Sequence, residues 1–124
     1  MGIASSRMSQ LRPMAWLVRE GDVLASADVA RRARERTVGL LGRDQQSMTG
    51  ALVIRRCRQI HTLGMRFPID VAFCDGDGLV LRTVTVAPWR VTRVVRRASF
   101  VVEAAAGSFD RWQLRAGDTI EVKE

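Results

Sequence analysis

The sequence is poor in several residue types that would point to specific chemistry. It has no tyrosine, one histidine (His61), one lysine (Lys123) and two cysteines (Cys57 and Cys74). Two cysteines cannot build a disulfide framework, and we expect both thiols to be reduced. The paired C-x-x-C spacing that is common in structural zinc sites is missing, and so is the phosphate-loop motif G-x-x-x-x-G-K-S/T. We therefore predict no metal and no cofactor.

Long apolar segments are missing as well. No run approaches the ~20 residues that a membrane-spanning helix needs. The first twelve residues, MGIASSRMSQLR, lack the continuous apolar stretch of a secretory signal. We expect a cytoplasmic protein with a loose tail over residues 1–12 and one domain over residues 13–124, because 124 residues suit a single domain.

Short β-strands are the predominant predicted element. Alternation at period two, β-branched runs and glycine-containing turns predict them. The predicted strands cover residues 15–19, 23–26, 51–54, 69–74, 79–86, 91–95, 99–104 and 119–122. Turn residues at 20–22 and 75–78 indicate two hairpins, since their glycines allow positive φ.

One amphipathic helix is predicted over residues 28–42, because its apolar residues fall within an arc of roughly 120° on a helical wheel. Ser26 or Asp28 can cap its start and Gly42 suits its end. Ser108 can begin one helical turn over residues 109–114. The fold class is therefore α+β, mainly β: a curled antiparallel sheet or small barrel, packed with one amphipathic helix and a short C-terminal helical turn.

Several segments, in order, resemble motifs of one family. Residues 37–43 (TVGLLGR) resemble R-x-x-G-L-M-x-R, residues 68–76 (PIDVAFCDG) resemble P-L-D-I-x-F-x-D, and residues 87–89 (APW) resemble L-x-P-W/C. Residues 102–118 resemble L-E-L-x-A-G followed by G-x-x-x-G-D. Together they resemble the domain of unknown function 192 family from about residue 21 to the C-terminus. The resemblance implies a compact β-rich domain without an established activity.

The sequence departs from this family just before the P-L-D motif. The family commonly has F-W-M-K-N-T there, whereas residues 60–65 are IHTLGM. Leu63 and Gly64 stand in place of the lysine and asparagine, so a role of that lysine cannot be transferred. Whatever is particular to this protein is expected within residues 61–65.

Three residues are candidates for acid–base chemistry: His61, Asp70 and Glu103. Both carboxylates are embedded among apolar residues, where burial requires a partner, and His61 could act as a base. A small hydrolase using His61 with Asp70 or Cys57 is therefore one hypothesis. The alternative, which we favour, is structural: His61 ties down its loop, Asp70 accepts backbone N–H groups of the turn at residues 64–67, and Glu103 pairs with an arginine.

Our first functional hypothesis is a non-enzymatic binding or accessory module. The glycine-containing loop before the central hairpin, on a small β scaffold, is a usual place for recognition. The residues proposed to bind a protein or small-ligand partner are His61, Thr62, Met65, Arg66, Asp70 and Trp89.

Arginine provides the alternative hypothesis, a nucleic-acid or polyanion binder. Lysine and arginine total 20 residues against 13 acidic ones, for a net charge of +7. No acidic residue lies between Asp77 and Glu103, and this stretch holds the proposed contacts Arg90, Arg93, Arg96 and Arg97 beside Trp89. A GC-rich genome, or charge that protects a sheet edge, would also explain these arginines.

Overall fold

A computed structural model of the chain describes residues 15–30 and 50–124. Its elements, in chain order, are β1 (Ala15–Arg19), β2 (Asp22–Ala30), β3 (Ala51–Arg55), β4 (Ile69–Cys74), β5 (Val80–Val86), β6 (Phe100–Ala105), α1 (Ser108–Trp112) and β7 (Glu121–Lys123). The strands form one seven-stranded sheet in the order β5-β4-β6-β3-β2-β1-β7. The mainly-β prediction is confirmed.

Two tight turns lie where the sequence predicts them. Glu20 and Gly21 both have positive φ, of 50° and 85°, which is the type I′ geometry that suits a two-residue hairpin between β1 and β2. In the turn between β4 and β5, Oδ1 of Asp75 accepts hydrogen bonds from the backbone N of Asp77 and of Leu79, both at 2.9 Å. Gly78 has a φ of 89°, and a Cβ there would collide with the carbonyl oxygen of Ile120.

The sheet is mixed and open, so the predicted antiparallel sheet or barrel is corrected. Strands β2 and β3 are parallel, and their register pairs Ala27–Ala30 with Ala51–Ile54 in the same order. The 20 residues from 31 to 50 provide the length that such a crossover connection requires. The start of β5 contacts the segment before β7 at one corner of this open sheet. Val80 N donates to Asp118 O at 2.8 Å, beside an isolated bridge between Leu79 and Thr119.

The pairing of β2 also changes where the predicted helix can start. Asp28, Val29 and Ala30 belong to strand β2, so they do not form the first turn of a helix. The rest of that prediction, like the tail over residues 1–12, lies outside the described residues. The prediction of a helical turn after Ser108 matches α1, although Gly107, with a φ of 95°, is the residue at its N-cap.

The predicted strand over residues 91–95 is wrong. Val91 forms an isolated bridge with His61. Farther along, the backbone N of Val95 donates a hydrogen bond to the carbonyl of Arg58 at 2.8 Å. Residues 91–95 lie beside residues 58–62 and contact them through irregularly spaced hydrogen bonds, without the regular pairing of two β-strands. The result is an ordered loop of non-repetitive backbone.

The core lies on both faces of the sheet. In β4 all six residues are buried: Ile69, Val71 and Phe73 pack into one apolar cluster, and Ala72 and Cys74 into the other. Such burial is typical of a strand covered on both sides. Side chains that are neighbours along a strand point to opposite faces of the sheet, so the position of a polar residue in β4 determines the face on which it lies.

Candidate functional site

Thr62 holds two loops together. We call residues 60–66 loop A and residues 87–98 loop B. The Thr62 hydroxyl is fully buried, donates to the carbonyl of Ala87 at 2.6 Å and accepts from the backbone N of Arg90 at 2.9 Å. The Thr62 backbone donates to Arg90 O at 2.8 Å and accepts from Trp89 N at 2.9 Å. One threonine thus satisfies four polar groups of loop B.

Thr92 makes a second connection between the loops. Its backbone N donates to the carbonyl of Ile60 at 3.0 Å, and its hydroxyl accepts from the backbone N of Ile60 at 3.1 Å. Gln59 adds a side-chain bond to the Thr92 carbonyl at 2.9 Å. Backbone groups of an irregular segment need such partners, so these bonds explain why loop B is ordered without being a strand.

The clamped loops present large apolar side chains to solvent. Leu63, Trp89, Val91 and Val94 are exposed, and Trp89 is the most open, at 64% of its surface. Its backbone also has a φ of 62°, a region that costs a bulky residue of order 1–3 kcal/mol. We define the two-loop surface as these four residues together with the exposed side chains of Arg90, Arg93, Arg96 and Arg97.

Three arginines meet at a cavity beside this surface. Arg82 of β5 and Arg90 and Arg93 of loop B line a space of about 380 Å³, with the remaining lining from residues 84–87, 91 and 92 and no acidic residue. Within the described ranges, none of the three guanidinium groups pairs with a carboxylate. Positive charge is therefore concentrated here without internal neutralisation. We call this space the arginine cavity.

Asp70 lies at a different cavity and is fully engaged. Its Oδ1 accepts from the Thr85 hydroxyl at 2.7 Å, and its Oδ2 accepts from the backbone N of Gly107 and of Phe109, each at 3.0 Å. The prediction that Asp70 accepts backbone N–H groups is correct in kind. The turn is wrong, because strand β4 directs this side chain toward the start of α1 and not toward residues 64–67.

The cavity at Asp70 is smaller and of mixed charge. It measures about 290 Å³ and is lined by Asp70, Asp110 and Arg115 among others, and it shares Val84 and Thr85 with the arginine cavity. We call it the Asp70 cavity. Edge strand β5 therefore separates two neighbouring spaces of unlike charge.

The three acid–base candidates are not brought together. Asp70 stands opposite Ala104 and Glu103 opposite Val71, so the two carboxylates lie on opposite faces of the sheet. His61 Nδ1 accepts from the backbone N of Leu63 at 3.2 Å, which ties down loop A as the structural alternative proposes. No three His, Cys, Asp or Glu side chains in the described part of the chain lie close enough to hold a metal.

The remaining predicted residues separate into core and surface. Met65 packs in the core cluster that contains Ile60 and Phe67, whereas Arg66 is exposed. The thiol of Cys57 donates to Gln59 O at 3.1 Å. Burial, and secondarily the charge of Asp75, raises the pKa of Cys74 to about 12. Cys74 is therefore a thiol without nucleophilic character at neutral pH.

Sequence reasoning missed Arg82. Its one distinguishing signal is that it is the sole charged residue in the run LVLRTVTV, residues 79–86. Its proximity to Arg90 and Arg93 depends on how loop B returns over β5, which no local pattern shows. Among the described residues, no helix is long and apolar enough to cross a membrane.

Comparison with known proteins gives one family. The model of domain of unknown function 192, described as an uncharacterized ACR, matches residues 16–122. UPF0127 proteins of Pyrococcus abyssi and Pyrococcus furiosus are each 32% identical over 62 residues, which is 50% of this chain and 53% of theirs. The chain thus spans about half the length of the curated relatives it matches.

Two solved structures share the fold. A protein of Sinorhizobium meliloti, described as a candidate transcription regulator, superposes with a TM-score of 0.72 at 20% identity, over 88% of this chain and 92% of its own. A protein of unknown function from Novosphingobium aromaticivorans gives 0.70 at 17% identity, over 87% and 83%. At these identities the likeness concerns the fold alone.

Proposed function

The chain belongs to the domain of unknown function 192 family, and we propose that it is a non-enzymatic binding module that recognises an anionic partner through the two-loop surface. The observation that carries the proposal is the buried Thr62 clamp, which holds exposed Trp89 and Arg90 in fixed positions.

Preorganisation is the first support. Loop B has no regular secondary structure, yet its backbone is bonded at Thr62 and Ile60. A loop that is ordered before binding does not pay the entropy of becoming ordered when the partner arrives. Exposed patches of large apolar side chains also commonly mark interaction surfaces on proteins.

Charge is the second support and indicates the sign of the partner. Arg90, Arg93, Arg96 and Arg97 are exposed, and among the described residues none of them pairs with a carboxylate. Unneutralised arginine attracts anions over a distance and can contact phosphate or carboxylate oxygens in bidentate fashion. An anionic partner would remove the mutual repulsion of these side chains.

Single-stranded nucleic acid is the partner class that the geometry favours. Trp89 is open to solvent and adjoins Arg90 in the chain. Proteins that bind single strands combine stacking on aromatic rings with basic contacts to the backbone. Duplex DNA buries its base faces, so it offers Trp89 nothing on which to stack.

The test uses labelled oligonucleotides and one substitution. Fluorescence anisotropy would follow a 20-nucleotide single strand, the matching duplex and inorganic polyphosphate, each at low and moderate salt. Trp89→Ala should weaken single-strand binding about tenfold, in line with the usual value of base stacking. Trp16→Ala is the matched control, because Trp16 is a 43% exposed tryptophan on β1.

Two results would contradict the proposal. If none of the three probes binds at low salt, where phosphate contacts are strongest, the surface does not recognise anions. If Trp89→Ala and Trp16→Ala bind equally well, the two-loop surface is not the binding site. Preference for the single strand over polyphosphate would support the nucleic-acid assignment.

A hydrolase that uses His61 with Asp70 has less support. Thr85, Gly107 and Phe109 occupy the acceptor positions of the Asp70 carboxylate, and His61 bonds to its own loop. Among the described residues, no hydrogen bond joins His61 to this carboxylate.

A further inference from the structure

We propose that the arginine cavity is a discrete site for a phosphate group, carried either by a small phosphorylated molecule or by a nucleic-acid strand. The inference rests on the proposed function and deepens it, since it assigns a specific anion and adds Arg82, which lies outside the two-loop surface. The site is built from two parts of the fold that are distant in sequence.

The two parts converge through tertiary structure. Arg82 lies in edge strand β5, opposite Phe73 of β4, whereas Arg90 and Arg93 lie in loop B. The Thr62 clamp fixes the backbone at Arg90, and the Thr92 bonds to Ile60 fix it next to Arg93. Both loop arginines therefore line the cavity from anchored backbone, and Arg90 Nη1 also donates to the carbonyl of Trp89 at 3.4 Å.

The threonine hydroxyls at the cavity are already hydrogen-bonded within the protein, so recognition of a ligand depends on the charged arginines. The Thr85 hydroxyl donates to Asp70, and the Thr92 hydroxyl is engaged with Ile60. These hydroxyls are committed, so the arginines provide the donors for a ligand. Three guanidinium groups suit an anion with several oxygens and more than one negative charge, which describes a phosphate ester better than a single carboxylate.

The size of the cavity agrees with a ligand larger than phosphate alone. A volume of about 380 Å³ lies in the range of roughly 300–1,000 Å³ that is usual for pockets that bind small molecules. A phosphate group would fill part of it, and the molecule that carries the phosphate would fill more. The neighbouring Asp70 cavity combines Asp70 and Asp110 with Arg115, so its lining favours an anion less than a lining with three arginines and no acidic residue. Charge thus selects one of two adjacent spaces.

Two double variants with equal loss of charge test the site. Arg82→Gln with Arg93→Gln removes two cavity arginines, and Arg56→Gln with Arg58→Gln removes two exposed arginines that lie outside both the cavity and the two-loop surface. Inorganic phosphate would be titrated into protein labelled with ¹⁵N-arginine at fixed low ionic strength, and the Nε–Hε resonances would be followed by NMR. The melting temperature of each variant checks that it folds.

We expect saturable shifts of the Arg82 and Arg93 resonances in the unmodified protein. The cavity double variant should weaken phosphate binding about tenfold, because each lost contact is a charge-assisted hydrogen bond. The double variant at Arg56 and Arg58 should change it less than about twofold. Equal weakening in both variants, or no saturable shift, would overturn the proposal.

Oligonucleotides identify the source of the phosphate. A single strand with a 5′-phosphate is compared with the same strand lacking it. If the phosphate tightens binding and the cavity variant removes that gain, the site takes a nucleic-acid end. If the gain is missing while inorganic phosphate binds, the site takes a free phosphorylated molecule. Both results support the site, and a gain that persists in the cavity variant overturns it.

The two proposals fail in different ways. Loss of the phosphate site leaves the effect of Trp89→Ala on single-strand binding intact. Loss of the two-loop surface as a binding site leaves the arginine resonances responsive to phosphate. The NMR titration and the anisotropy measurement are therefore independent tests.

Discussion

The two cavities beside strand β5 differ in how their charged groups are satisfied. At the Asp70 cavity, one carboxylate accepts three hydrogen bonds from the protein itself, from Thr85, Gly107 and Phe109. At the arginine cavity, three guanidinium groups have no carboxylate partner among the described residues. Buried polar groups that are fully paired hold a fold together, whereas exposed unpaired charges are available to a partner. Polar residues on the two sides of strand β5 therefore serve different purposes.

Removal of the Asp70 carboxylate should give the largest effect. Asp70→Ala leaves two backbone N–H groups and one hydroxyl without their acceptor, at a cost of about 4 kcal/mol in the free energy of unfolding. Urea denaturation measures this. Asp110→Asn, at an exposed carboxylate on the same cavity, is the control and should cost less than about 0.5 kcal/mol. Equal effects would show that Asp70 has no special structural role.

Alkaline pH should destabilise the same side of β4 through Cys74. Its pKa in the folded protein is raised to about 12 from 9.0, so the unfolded chain loses the thiol proton first as pH rises. The free energy of unfolding is therefore unaffected below pH 9 and falls above it, by roughly 3 kcal/mol at pH 11.

Cys74→Ala should remove that slope, and Val71→Ala, which shortens another buried side chain of β4 without removing a titratable group, is the control. The measurement is a set of denaturation curves between pH 8 and 11. The lack of tyrosine and the single lysine reduce the number of other groups that titrate in this range. An unchanged slope in Cys74→Ala would contradict the assignment.

Removal of the Thr62 hydroxyl should lower the free energy of unfolding and loosen loop B. Thr62→Val keeps the shape of the side chain but removes the donor to Ala87 O and the acceptor for Arg90 N, at a cost of about 2 kcal/mol. Hydrogen exchange should quicken at the amides of Trp89 and Arg90 in particular. The control is Thr119→Val, at an exposed threonine. Unchanged exchange in loop B would show that Thr62 does not order it.

Substitution in the arginine cavity should affect stability least. Arg82→Gln with Arg93→Gln should change the free energy of unfolding by no more than about 0.5 kcal/mol, because both side chains are exposed and unpaired in the described structure. A small stabilisation is compatible with relief of repulsion. A loss of about 2 kcal/mol or more would make these arginines structural and remove the contrast with Asp70.

Local patterns predict the strands and turns well, and the failures have a common cause. Glu20-Gly21 and Asp75–Gly78 form turns because the positive φ they need is a property of a few adjacent residues. The helix start at Asp28 fails because β2 pairs with β3 through Ala30. Tertiary pairing overrides propensity there, and loop B likewise replaces the predicted strand at 91–95.

The sequence predicts that Trp89 and the arginines of loop B contact a partner. These residues are exposed, and their role in binding stays a prediction. Asp70 and Glu103 were correctly singled out as acidic residues among apolar ones, and both are buried. That they lie on opposite faces follows from the register of β4 with β6, which pairs residues 26 to 36 positions apart.

The printed residues alone were enough to establish a small mainly-β domain, its two tight turns, its arginine excess and its resemblance to one family. These depend on composition and on contacts within a few residues. Tertiary structure decided that the sheet is mixed and open, that Asp70 supports α1, and that Arg82 meets Arg90 and Arg93. Each of these depends on which distant segments pair, because long-range pairing is selected by packing and backbone hydrogen bonding over the whole fold and not by local preference.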